Sequence, residues 1–215
     1  MTLSTMLDQL STGMIRSIGI FVLTLVFSMP LGMLITFGRM SKYRVIRNIA
    51  RLYISVLRGT PLMLQLLVVY FAPFYLWGAN ISGYRFFAVI IGFSLNYAAY
   101  FAEIYRGGIE AVPRGQYEAA QVLGYTRAQT FLRIVLPQVT KNILPAVTNE
   151  VITLVKDTSL AFALAYQEVF SIAKQISAAQ TSFMPFVIAG IFYYVFNLLV
   201  AFIMEKFEAK MNYYR

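Results

Sequence analysis

Asn96, Tyr100 and Glu103 interrupt an apolar stretch at i, i+4 and i+7, a spacing that puts them on one face of a helix. Glu150, Thr153 and Asp157 repeat the pattern further on at i, i+3 and i+7, with Ser159 just beyond, while Tyr97 flanks Asn96. Ionisable groups in apolar surroundings are costly, so each is a functional candidate by default. Two such stripes suit recognition of a molecule with ammonium, carboxylate and polar side-chain groups. They do not suit catalysis, because no nucleophile and base stand together and no catalytic residue is expected. Blander readings exist: Glu103 can pair with Arg106 at i+3, Asn96 can be an interhelical hydrogen bond, and Asp157 can bond backbone groups where a helix breaks before Thr158.

The chain has no His and no Cys, which removes imidazole acid–base pairs, thiolate nucleophiles and the common zinc sites; no metal site is expected. No G-x-x-x-x-G-K-[ST] run cradles a nucleotide phosphate, so work against a gradient needs a partner or an ion.

These residues sit in 215 residues of which 59% are hydrophobic and 13% charged. A soluble domain carries about a quarter of its residues charged, so this chain belongs in a bilayer and is not disordered. Five stretches, roughly 15–38, 52–77, 86–105, 142–165 and 183–204, are long and apolar enough to cross about 30 Å of hydrocarbon. The expected fold is an all-α membrane protein of five transmembrane helices in a single domain, 1–215. The first stretch is read as a retained span, since Arg39, Lys42, Arg44 and Arg47 follow it in place of a cleavage site.

The net charge of +9 is not spread evenly. The 39–51 and 106–141 connections and the tail cations Lys206, Lys210 and Arg215 hold 13 of the 18 Lys and Arg. If five spans alternate, all of these lie on one side. The positive-inside rule then puts the N-terminus outside and the C-terminus in the cytoplasm. Nucleic acid loses its appeal as a partner, because each basic cluster ends a span. Arg58-Gly59-Thr60-Pro61 predicts a kink in the second span. A moving gate and a fixed packing bend both fit, with Arg58 snorkelling to the cytoplasmic interface.

The 106–141 connection reads as a compact hairpin. Gln116 to Leu123 forms a short helix closed by Gly124. Thr126 and Gln129 make a capping box for a second helix over about 127–135, with Phe131, Ile134 and Val135 on one face and Pro137 ending it. A rigid part that another protein grips and a hairpin lying on lipid are both compatible with this pattern.

Glu118-Ala119-Ala120, Gly124 and Ile134-Val135-Leu136-Pro137 resemble the EAA signature of ABC-importer membrane subunits. Arg58-Gly59-Thr60-Pro61, Glu103 to Ile109, Gly115-Gln116, Leu136-Pro137-Gln138 and Leu154 to Leu160 extend the likeness, over about residues 11–210, to the polar amino acid uptake (His/Glu/Gln/Arg/opine) permeases. The resemblance implies a type I importer permease in the inner membrane of a prokaryote. It also implies a coupling helix around Glu118 that docks into a cytoplasmic ATPase. The implied partners are two ATPase subunits, which carry ATP and Mg, a second permease chain, and an extracytoplasmic amino acid binding protein. This chain itself would bind no cofactor. The acids favour basic amino acids such as arginine, lysine or histidine, with glutamine or glutamate as the alternative. An ion-coupled secondary carrier is the competing reading from another class.

Overall fold

The computed structural model describes residues 2–211; Arg215, counted above among the tail cations, lies outside them. The described chain is helical: α1 (Leu3–Arg39), α2 (Arg44–Gly59), α3 (Leu62–Trp77), α4 (Arg85–Glu110), α5 (Arg114–Val122), α6 (Arg127–Thr130), a π-helical turn (Phe131–Val135), α7 (Leu136–Asp157), a 3-10 segment (Thr158–Leu164), α8 (Val169–Gln180) and α9 (Met184–Met211). α4 is the hub, with α1, α2, α3 and α7 packed around it. Phe93, Tyr97 and Phe101 along it are buried.

α1 lies beside α4 because of its small residues. Gly13, Ser17, Thr24, Ser28, Gly32 and Thr36 make one buried row, in which Gly13 and Ser17 meet Val169 of α8 and Gly32 and Thr36 meet α4. At Gly32 a Cβ would sit 2.9 Å from Phe101 Cβ and 3.1 Å from Ala98 O. Without a hydrophobic driving force between helices in lipid, such close approach is what holds them together. Thr36 Oγ1 donates across the seam to Ala102 O at 3.0 Å. The opposite faces of α1 and α9 expose Val22, Val26, Leu198 and Phe202, as lipid contact requires.

α1, α4 and α9 are each long and apolar enough to span a membrane, and α2 and α3, taken together as one bent pair, are a fourth candidate. The expected second span, 52–77, is therefore not one helix: its two halves meet at 113° across Thr60 and Pro61. The first span starts at Leu3, well before residue 15. The fourth begins at Leu136 and its α-helix ends at Asp157, before the 3-10 segment. α7 falls outside the apolar set, and Asn142, Asn149, Glu150, Lys156 and Asp157 along it are the reason.

At the far end of α7 from the Glu118 hairpin, the 165–168 turn is fastened by two arginines. Arg16 Nη1 donates to Gln167 O at 3.0 Å and Arg85 Nη1 to Ala165 O at 3.4 Å. Glu168 then caps α8, its carboxylate accepting from the N–H groups of Phe170 and Ser171, both at 2.7 Å, and from Tyr193 Oη at 2.9 Å. Burial pushes the Glu168 carboxyl up from 4.5 to about 7, against the pull of those hydrogen bonds. Its folded value thus lies above its unfolded one. The stability it contributes is complete below the unfolded value and is lost as pH rises through about 7. We expect the melting temperature to fall between about pH 5 and about pH 8, and Glu168→Gln to flatten that slope; an unchanged slope in the variant would contradict it.

Candidate functional site

Two regions carry the polar chemistry, and the first is the hairpin between α4 and α7. α5 ends in a Schellman motif: Tyr125 N donates to Ala120 O and Gly124 N to Gln121 O, both at 3.0 Å. Gly124 adopts φ 76°, the left-handed conformation that glycine takes most cheaply. The Thr126–Gln129 capping box forms as expected, with Gln129 N to Thr126 Oγ1 at 3.3 Å and Thr126 N to Gln129 Oε1 at 2.9 Å. Glu118 and Ala119 face outward. Ala120 does not, because it is buried on its own hairpin, so only Ala119 leaves space for an approaching surface. Beyond Glu118, Val122 (87% exposed) and Leu123 (72%) form an uncovered apolar tip.

Pro137 does not end the second helix of this hairpin. The chain stays helical from Arg127 to Asp157, with Pro137 in the first turn of α7. The π-helical turn absorbs the proline: Leu136 N donates to Phe131 O, one residue further back than in an α-helix, just where Pro137 offers no donor. The hairpin is therefore joined to α7 by an unbroken rod.

That rod crosses α4 at Gly108. A Cβ there would clash with Ile143 Cγ2 and sit 3.2 Å from Val139 Cγ1. α7, continuous with the hairpin, thus meets α4 in direct backbone-to-side-chain contact.

The second region lies where α4, α7 and the α2–α3 break meet. Tyr97 Oη donates to Asp157 Oδ2 at 2.7 Å, tying α4 to the end of α7. Asp157 makes no bond to the backbone of the break beside it. Arg58 and Asp157 are charged neighbours of Glu150. The Arg58 guanidinium lies 5.2 Å from the centroid of the Tyr100 ring. Thr153 Oγ1 and Ser159 Oγ return to Asn149 O and Lys156 O, each at 2.8 Å. Thr153 and Lys156 are exposed, and Tyr100, Glu150, Asp157 and Ser159 half-buried. Glu150, Thr153 and Asp157 share one face of α7, which with Tyr97 of α4 makes an open wall, and Lys156 is a charged neighbour of Asp157.

Glu103 stands apart from this wall. Its carboxylate receives Arg106 at 2.6 Å, with Arg39 at 3.8 Å and Arg58 at 4.0 Å. The expected i+3 pair is present and two further cations join it. Asn96 is also engaged: Nδ2 donates to Leu57 O at 3.1 Å and to Gln65 Oε1 at 2.9 Å. Leu57 O is the carbonyl that Pro61, having no N–H, leaves unsatisfied. Gln65 Nε2 reaches the same oxygen at 2.8 Å and Thr60 Oγ1 at 2.8 Å, while Thr60 Oγ1 donates to Val56 O at 2.8 Å. Asn96, Gln65 and Thr60 thus hold the bend. Sequence reading passed over Gln65, although an amide five residues after Thr60 in an apolar run was the available signal. It also missed Gly108, whose close contact depends on a partner helix. Among the described residues, no cluster of carboxylates could hold a metal ion.

The described chain is an all-helical bundle that carries a capped hairpin between α4 and α7 and a row of polar residues where those two helices meet. The chain belongs to the family of binding-protein-dependent transport system inner membrane components, whose profile matches residues 28–213. It is 39% identical to the arginine transport system permease protein ArtQ of Bacillus subtilis, over 93% of this chain and 91% of that one. It is 36% identical to the putative glutamine transport system permease protein GlnP of Rickettsia conorii, over 88% of this chain and 87% of that one. A chain from the crystal structure of an amino acid ABC transporter with histidines superposes with a TM-score of 0.88 at 32% identity, covering 98% of this chain and all of that one. The protein is thus a multi-pass inner-membrane permease component of the amino acid ABC importer class with the type I fold, and not an enzyme.

Proposed function

We propose that this chain is one half of an ATP-driven importer for basic amino acids. Five crossings, α1, the α2–α3 pair, α4, α7 with its 3-10 segment, and α9, place the N-terminus outside and the C-terminus in the cytoplasm. α1 runs parallel to α4 (Gly32 meets Ala98 and Thr36 meets Ala102) and α7 antiparallel, which supports that order. A second permease chain, identical or related, supplies the missing side of the path. The exposed row Leu64, Val68, Phe71 and Tyr75 on α3 suits contact with it. Two ATPase subunits, holding ATP and Mg, grip the hairpin at Glu118 and Ala119, with Gly124 fixing its shape. An extracytoplasmic binding protein docks on residues 78–85 and 166–182.

The observation that carries the substrate reading is the wall itself. Glu150 and Asp157 face it with Arg58 and Lys156 nearby, so both ends of a zwitterion find a partner. Tyr97, Tyr100, Thr153 and Ser159 complete it. Asn96 and Glu103 support the wall from behind and below, as do Thr60 and Pro61. Glu150, half-buried and without an ion pair among the described residues, is left for a cationic side chain, and the arginine named for the 39% identical relative agrees with this.

The test is uptake of labelled arginine and glutamine by proteoliposomes holding the permease, its ATPase and its binding protein. Uptake is expected only with ATP, and Glu150→Gln should lower arginine relative to glutamine by roughly tenfold, about 1.4 kcal/mol. An unchanged ratio removes Glu150 from the site. Uptake that needs neither ATP nor a partner would favour an ion-coupled carrier.

A further inference from the structure

α2 has three faces, and only one of them is covered. Ala50, Tyr53, Ile54 and Leu57 turn toward α1 and α4. Val45, Ile49, Leu52 and Val56, at i, i+4, i+7 and i+11, form an exposed apolar row. Arg44, Arg47, Arg51 and Arg58 form the third row, at i, i+3, i+7 and i+14. Arg58 turns to Glu103 and Tyr100, leaving Arg44, Arg47 and Arg51, with Lys42 just before them. Among the described residues, no carboxylate lies within ion-pair distance of any of these four cations. None is near in sequence either, since the chain has no Asp or Glu between Asp8 and Glu103.

We propose that α2 seats itself on the inner leaflet, with Arg44, Arg47 and Arg51 holding the phosphates of anionic phospholipids. Its Val45 to Val56 row then enters the acyl region beneath them. An apolar row beside an uncompensated cation row is the pattern of a helix lying in a membrane interface. Anionic headgroups attract such cations from within a Debye length. Charge argues against a second copy of this chain as the occupant, because its own α2 would bring the same uncompensated cations. The placement of α2 at the cytoplasmic side rests on the topology proposed above.

The test is native mass spectrometry of the purified transporter taken from nanodiscs of equal phosphatidylglycerol and phosphatidylethanolamine. Wild type should retain phosphatidylglycerol preferentially. Arg44→Gln/Arg47→Gln/Arg51→Gln should lose that preference by roughly tenfold or more. The matched Lys triple should keep it, and Arg114→Gln/Arg127→Gln/Arg133→Gln should leave it untouched. Equal retention by wild type and the Gln triple overturns the proposal. So does loss of the ATPase from the Gln triple with lipid retention unchanged, which would make the row a protein contact. ATP-driven uptake is read on the same material, so a failure of the lipid seat and a failure of the importer reading are separable.

Discussion

Glu118→Lys should abolish ATP-driven uptake, by roughly tenfold at least, without unfolding the chain. Glu118 is exposed and forms no ion pair among the described residues, so its loss removes nothing internal. Surface substitutions of that kind usually stay within about 0.5 kcal/mol in stability. The reversed charge acts on the gripping partner instead: like-charge juxtaposition across an interface costs several kcal/mol. The assay pairs uptake with ATPase activity and the melting temperature. Lost uptake with a preserved melting temperature is the expected result. Full uptake would remove α5 from the drive train.

Gly108→Ala is expected to be nearly as damaging, for a different reason. The new Cβ would clash with Ile143 Cγ2, a branch methyl that cannot swing away without moving α7. Overpacking of this type costs about 1–3 kcal/mol, and the α4–α7 crossing would have to widen. Both the melting temperature and uptake should fall. Gly108→Ala/Ile143→Ala makes room again and should recover much of each, a coupling that a double-mutant cycle reads directly. Wild-type behaviour of the single variant would show that the crossing transmits nothing.

What was legible in the sequence was local chemistry. Gly124, Thr126 and Gln129 specify the hairpin through capping bonds that reach only a few residues, and these form as read. The break before Thr158 was visible for the same reason. Hydropathy averaging joined 52–77 into one span, and Gly59 and Pro61 marked a kink in it without giving its angle. That angle is held by Asn96, Gln65 and Thr60 satisfying the Val56 and Leu57 carbonyls at the end of α2, and the first of these comes from another helix. Pro137 was misread because the remedy, a π-helical turn, leaves no mark in composition. The same averaging hid the small-residue row of α1, in which Gly, Ser and Thr look like interruptions but form the seams with α4 and α8. Glu103 could be paired with Arg106 from spacing alone; Arg39 and Arg58 reach it only through the fold.

The chain contains no cysteine, so Ala119→Cys gives a single reporter on the exposed side of α5. Labelling it with a thiol reagent, in transporter purified with its ATPase and again after the ATPase is stripped, measures directly whether a motor covers the hairpin. Protection in the complex and rapid labelling once it is stripped is the predicted result. Equal labelling in both states, or no ATPase held by the purified chain, would contradict it.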